Sequence, residues 1–275
     1  MQIKTGLAVV LPSLKNKFFS LFKRSLIIIF FICFIQSIYA QSDPIDTDRP
    51  DQTESAFTVP KNWLQMEAGF GFQKNNKSSK EISIPTLLTK YGISHKIELR
   101  LITTLISNAD ISQPSGIEYK TGLEPVEIGA KISLWEEKKW IPKTSLIFHF
   151  AIPAFASKAN KINSIVPNFR FSLQNSIAKN ITVGYNIGAE WDGENTDPTY
   201  IYTLSPGFNF AKRWYAYIEA FGGIKKHEPS QHNIDGGLAY YISKNYKIDI
   251  SSGFGITKAA PDWYVALGFS ARFKL

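Results

Sequence analysis

From about residue 63 onward, apolar and polar residues alternate one for one in runs of about ten, separated by polar turns. Successive side chains of a strand point to opposite faces, so a period of two predicts strands; no stretch carries the 3.6-residue period of a helix. The runs predict about twelve strands, beginning near Trp63, Ile84, Ile97, Val126, Thr144, Ile165, Ile181, Tyr200, Trp214, Ile234, Ile248 and Trp263. In the first run Leu64, Met66, Ala68, Phe70 and Phe72 oppose Gln65, Glu67, Gly69, Gly71 and Gln73. In the last, Trp263, Val265, Leu267, Phe269, Ala271, Phe273 and Leu275 oppose Tyr264, Ala266, Gly268, Ser270, Arg272 and Lys274. The apolar face of every run is free of charge, while the other face carries glycines and Glu98, Arg100, Glu127, Lys131, Arg170 and Asp249.

A soluble sandwich also alternates, but its strands average five or six residues, whereas ten suit a tilted membrane crossing. An uncharged apolar face is what lipid requires, because a lysine or arginine there costs roughly 2–4 kcal/mol at the bilayer midplane. The connections alternate in length: tight at 94–96, 211–213 and 243–245, long at 107–122, 154–163, 192–199 and 222–233. All six tryptophans fall at the ends of runs, as an interfacial aromatic girdle would place them. The fold class expected is therefore an all-β antiparallel transmembrane barrel of about 12 strands, with short periplasmic turns and longer extracellular loops. Pro167 and Pro206 fall inside the sixth and eighth strands, where each removes a ladder donor.

The first forty residues follow another plan. Lys4, Lys15, Lys17, Lys23 and Arg24 precede an apolar run from Leu26 to Ile35, too short for a membrane-spanning helix. This predicts a signal peptide over 1–40 cleaved after Ala40, a polar segment over 41–62 and a barrel over 63–275. Beyond residue 40, 26 bases face 23 acids, so the net charge falls from +8 to near +3. Without a basic stripe, nucleic acid is not an expected partner. Cys33, the only cysteine, lies in the leader, which leaves neither disulfide nor thiolate metal site beyond it.

Little catalytic chemistry is readable. A barrel phospholipase would need a histidine near a serine on the lipid side, but His95 falls in a turn, His227 and His232 in a long loop, and His149 on the polar face. Asp46, Asp48, Asp51 and Glu54 lack the sixth-position glycine of an EF-hand calcium loop, and no cofactor or metal is expected. Glu136-Glu137-Lys138-Lys139 reads as a solvated turn.

The segment Thr47-Asp48-Arg49-Pro50-Asp51-Gln52-Thr53-Glu54-Ser55, followed by Phe57-Thr58-Val59-Pro60, resembles the opening of the transporter family grouped with the MetA pathway of phenol degradation. The resemblance continues in Lys90-Tyr91-Gly92-Ile93, Ile97-Glu98-Leu99-Arg100 and Glu127-Ile128-Gly129-Ala130-Lys131, stretches that any alternating barrel can show. It implies an outer-membrane transporter, with small aromatic or hydrophobic compounds as candidate solutes. The chain ends Phe273-Lys274-Leu275, two places past the terminal phenylalanine usual in such proteins.

The function expected is a Gram-negative outer-membrane channel for small molecules, reaching the lipid through the barrel-assembly machinery. The alternative is a structural or adhesive barrel that binds partners through its extracellular loops. Twelve strands lie between the eight that side chains fill and the sixteen of an open pore, so the lumen should be narrow or plugged. Two arrangements follow for it. Arg100 should pair with Glu67 or Glu127 from neighbouring strands. The 46–55 segment should fold inward as a constriction, Asp48, Asp51 and Glu54 meeting Lys131, Arg170 and Arg272, and Arg49 meeting a lumenal acid.

Overall fold

A computed structural model of the chain describes residues 44–76, 78–110 and 117–275; the leader expected over 1–40 lies outside them. Alternation becomes thirteen strands: β1 (Trp63–Lys74), β2 (Ser79–Gly92), β3 (Ile97–Asp110), β4 (Glu118–Leu123), β5 (Val126–Trp135), β6 (Lys143–Ile152) and β7 (Val166–Ala178). They continue as β8 (Ile181–Glu190), β9 (Thr199–Ala211), β10 (Trp214–Lys225), β11 (Gln231–Tyr241), β12 (Tyr246–Gly255) and β13 (Trp263–Lys274). Each pairs antiparallel with its sequence neighbours, except that β4 and β5 both pair with β3, and β13 returns to β1, from Trp63↔Lys274 to Lys74↔Trp263, so the sheet closes.

β4 and β5 are one crossing broken at Glu124-Pro125. β4 pairs with the upper half of β3 and β5 with its lower half, which makes twelve crossings of the thirteen strands. The far edge of β4 meets no strand. The 153–165 loop covers it instead: Ser157 N–H donates to Leu123 O at 2.9 Å and Asn160 Nδ2 to Gly122 O at 3.1 Å.

The other prolines are absorbed without loss of register. Pro206 pairs with Val183 of β8, and toward β10 the ladder skips the positions between Gly207 and Leu204 before resuming in the same register. Pro167 lies beyond the last pair of β7 with β8, Asn168↔Glu190. A third proline, Pro85, sits in a bulge of β2 between Ser83 and Thr86; the bulge breaks the alternation there, and β2 starts at Ser79 rather than near Ile84.

The burial pattern is that of a soluble protein turned inside out. Outward-facing Phe70, Leu101, Ile128, Ile187, Ile218 and Leu267 are 40–59 % exposed, whereas inward-facing Glu67, Glu98, Arg100, Lys131 and Glu219 are 2 % exposed or less. An apolar belt of this extent around a closed sheet is stable only in hydrocarbon, and a closed ladder has no free edge there. Among the described residues no helix is long and apolar enough to cross a membrane; the strands do so.

Five tryptophans keep to the rims: Trp135, Trp140 and Trp214 at the turn end, Trp191 and Trp263 at the loop end. Trp63 does not join them. It shares the inward parity of Gln65 and Glu67, is 9 % exposed and lies under the Arg272 guanidinium at 4.9 Å. The loops are also shorter than their sequence suggests, because strands run on past the apolar belt; residues 222–225 and 231–233 belong to β10 and β11. His232 is thereby in a strand, its Nδ1 2.7 Å from the Tyr202 hydroxyl.

Candidate functional site

The chain before β1 runs through the lumen. It enters at the turn end, where Ile45 N–H donates to Lys244 O at 2.8 Å, and leaves through a bridge between Lys61 and Gly92. A segment with two prolines and no periodicity forms no strand, so its backbone groups must find partners on the wall. They do so among inward-facing side chains. Asp48 N–H donates to Glu67 at 3.0 Å, Gln52 N–H to Glu219 at 2.7 Å, Glu54 N–H to Asn186 at 2.7 Å and Val59 N–H to Glu98 at 2.7 Å. In return Ser145 Oγ donates to Ala56 O at 2.7 Å, and Ser172 Oγ donates to Glu54 O. Ile45, Ala56 and Val59 are buried to 4 % or less, which seats the segment by its few apolar side chains as well.

Charge fixes its register. Asp48 is the hub: Lys90 lies 2.8 Å and Arg100 2.9 Å from Oδ2, and Lys131 lies 2.9 Å from Oδ1. Burial works to raise the Asp48 pKa, but Lys131, Lys90 and Arg100 outweigh it and hold the carboxyl well below the usual range. Glu54 takes Arg100 at 2.5 Å and Arg170 at 3.8 Å, and Arg170 also reaches Glu190 at 2.6 Å. Burial raises and Arg100 lowers the Glu54 pKa, the net effect being downward.

Several pairings differ from those expected. Arg100 meets neither Glu67 nor Glu127; its acids are Asp48, Glu54 and Glu98, the last at 2.8 Å. Glu67 instead takes Lys90 at 2.5 Å, and Glu127 accepts a hydrogen bond from Asn168 at 2.9 Å. Arg272 donates to Asn245 Oδ1 at 3.2 Å and to Lys244 O at 3.3 Å, near the turn end. Arg49 reaches Asp249 at 3.0 Å. Asp51 forms no ion pair among the described residues and accepts from Ser205 Oγ at 2.8 Å.

Lys90, Glu219, Asp235 and Lys247 complete the lining. All are 4 % exposed or less, and all lie on the inward parity of their strands, a signal the sequence carries. Tyr217 and Tyr264 both donate to Asp235 Oδ2, and Tyr217 also to Pro50 O at 3.3 Å. Along the wall Lys90, Arg100, Lys131 and Arg170 stand on β2, β3, β5 and β7, with Glu98 and Glu127 among them, and Glu219, Asp235 and Asp249 stand on β10, β11 and β12, with Lys247 among them. The segment lays Asp48 and Glu54 against bases of the first set and Arg49 against Asp249 of the second.

Asp51 gives a pH dependence opposite in sign to that of Asp48. Burial pushes its pKa up to about 7, against the lowering effects of Ser205 and Lys247 and with the repulsion of Asp235. A folded-state pKa above the ordinary value of 3.8 means that docking is favoured while the carboxyl is protonated, and the advantage is lost as pH rises through about 7. Asp51→Asn should remove this loss, so that a titration of ion conductance from pH 5 to 8 is flatter than in the parent. An equal slope in the variant would assign the titration to another group. Asp51 is only half-buried, so water in the lumen limits the effect.

Two cavities flank the segment. The one toward the loop end has a volume of about 370 Å³ and is lined by Gln52, Gln73, Phe221, Gln231, Asn233 and Tyr264 among others. The one toward the turn end has about 150 Å³ and includes Asp51, Gln174, Ser205, Tyr215, Tyr241 and Lys247. Arg49 lines both.

With this geometry in place, known proteins can be compared. The model of a family described as "Putative MetA-pathway of phenol degradation" matches residues 47–273. An outer membrane channel from Pseudomonas putida F1 is structurally similar at TM-score 0.64 and 11 % identity, covering 83 % of this chain and all of that one. A KdgM porin solved with disordered oligogalacturonate gives TM-score 0.51 at 12 % identity, covering 76 % of this chain and 99 % of the porin. At such identities the likeness is one of fold. No curated protein matches the chain.

Proposed function

The chain belongs to the MetA-pathway phenol-degradation family, which it matches over residues 47–273, and on that premise we propose that it is an outer-membrane channel for small solutes. The observation that carries this reading is the pair of cavities, about 370 and 150 Å³, separated by a segment that is joined to β1 at one end and otherwise held to the wall by hydrogen bonds and ion pairs. A barrel serving only as a scaffold has no use for a hydrated chamber on each side of a polar plug. In this reading the turn end faces the periplasm, the loop end faces outward, and residues 45–59 form the constriction. The outer chamber sets Phe221 and Tyr264 among the carboxamides of Gln52, Gln73, Gln231 and Asn233. That mixture suits small amphipathic solutes, including the aromatic compounds of the family's name. The apolar belt meets lipid, and the barrel-assembly machinery is the expected partner for insertion.

The adhesive alternative loses ground on one point. Of the described outer connections, 226–230 and 256–262 are short, and the longest, 153–165, is folded onto the edge of β4, which reduces the surface left for a macromolecular partner. Catalysis is also disfavoured: His149 is 4 % exposed, takes a hydrogen bond from Arg100 Nε at 3.0 Å and lies 3.2 Å from Asn168.

Liposomes holding the purified protein should swell in small sugars, amino acids and aromatic acids faster than protein-free liposomes, the smallest solutes fastest. Absence of swelling with every solute, from both the full chain and a variant lacking the constriction, would turn the assignment to the adhesive alternative.

A further inference from the structure

We propose that the Arg49 side chain is the gate and charge filter of this channel, and that the solute path follows the β1/β13 wall past its guanidinium. The inference rests on the channel reading above. Its first ground is position: Arg49 lines both the outer and the inner cavity, so a path joining them along this wall passes it. The second ground is a built cradle. Gly69 of β1 and Gly268 of β13 face each other in register, and a Cβ on either would overlap the guanidinium. Two glycines in opposite positions leave a recess in the wall, and the Arg49 side chain fills it.

The third ground is the difference between its tether and those around it. The Arg49 backbone is fixed, since its carbonyl accepts from Lys247 Nζ at 2.6 Å and from Thr47 Oγ1 at 2.7 Å. Its side chain has one ion pair, Nη2 to Asp249 Oδ1 at 3.0 Å, and among the described residues Nε finds no partner. A single-point contact lacks the geometric hold of a two-pronged arginine–carboxylate fork. Asp48, by contrast, is held by three cations. The side chain can therefore swing out of its recess while the backbone of the plug stays docked. This opens a path for a small solute without expelling the segment.

The same geometry sets the charge preference. The Arg49 side chain is 22 % exposed and that of Asp249 is fully covered, so where the two cavities meet a passing solute faces a cation, while Glu81 lines the outer chamber and Asp46, Asp51, Glu54 and Lys247 the inner one. Pore-lining charge at a constriction selects the opposite sign. Small anions, including aromatic carboxylates, are the favoured charged class.

The test is single-channel recording in planar bilayers. Arg49→Ala should raise conductance about twofold or more and shift selectivity from anions toward cations, because it widens the passage and uncovers Asp249. Asp249→Asn should raise conductance and keep the anion preference, since it unties the guanidinium without removing it. Gel heat-modifiability reports folding, and the second variant decides the matter if the first does not fold. If both leave conductance and selectivity unchanged while a variant lacking residues 45–58 conducts more, the path lies elsewhere and the gate is overturned though the channel stands. If the shortened variant also conducts like the parent, the channel reading itself fails.

Discussion

Deleting residues 45–58 should convert a barrel of low conductance into one that conducts several-fold more. Twelve crossings enclose a space wider than the eight-stranded barrels that side chains fill, and the segment occupies the lumen between the outer and the inner cavity. The deletion should not prevent folding, since the ladder closes through β1 with β13 and β1 with β2, and neither pairing uses residue 58 or any before it. The wall loses partners: Lys90, Arg100 and Lys131 lose Asp48, and Glu219 loses Gln52 and Thr53. Water entering the emptied lumen replaces them, so these charges are exposed to solvent rather than left in an apolar interior. Single-channel current and gel heat-modifiability are the two measurements needed. A folded deletion variant that conducts like the full chain would reduce the segment to a structural strap.

The sequence reveals the barrel because lipid outside and water inside impose a period of two on every crossing. Where that rule is locally suspended, the reading slips. The bulge at Pro85 hides the first five residues of β2, and the break at Glu124-Pro125 splits one crossing into β4 and β5. Trp63 reads as an interfacial residue by its position at a strand end, but parity turns it inward under Arg272. Loop lengths are overestimated for a related reason: past the apolar belt both faces of a strand meet water, so alternation fades while pairing continues.

Site partners are harder to read than faces. Register arguments reach only nearby strands, which is why Glu127 on the adjacent β5 and Glu67 on β1, one strand further, are the natural candidates for Arg100. The partners observed include Asp48 and Glu54, which belong to no strand and approach from within the lumen. No periodicity encodes that approach. Asp51 shows the limit from the other side: its acidity suggests a cation, while the wall opposite it offers a serine. The charges omitted from the expected lining, Lys90, Glu219, Asp235 and Lys247, are by contrast legible from parity alone, as they share the inward face with Thr86, Tyr217, Asn233 and Asp249.

Asp48→Asn should be the most disruptive single substitution in the segment. The side chain keeps its size but loses the charge that three cations share, and Asp48 is 7 % exposed. Removing one partner from a buried ionic cluster costs about 3–5 kcal/mol, or roughly two to four powers of ten in the docking equilibrium of the segment. Glu67, Glu98 and Glu54 remain to offset part of this: Lys90 keeps Glu67, and Arg100 keeps Glu98 and Glu54. Lys131 loses most, because its other acid, Glu98, is 3.9 Å away. The cost falls on docking rather than on the barrel, since undocking lets water reach the cations. The readout is therefore conductance, or protease access to the segment, more than the melting of the sheet. The pH dependence gives a second handle. Burial acts to raise the Asp48 pKa, and the three cations reverse this and hold it well below the ordinary carboxylate value of 3.8. The stabilisation is then present above the ordinary carboxylate range and lost as pH falls through the depressed folded-state value. On the acid side the parent should release its segment only in strong acid. The Asn variant should lose the acid limb that Asp48 contributes and conduct freely at neutral pH, where the parent conducts weakly. An Asp48→Asn protein with parental conductance and parental protease resistance at pH 7 would show that the segment is held by its backbone hydrogen bonds, with the Asp48 cluster incidental to docking.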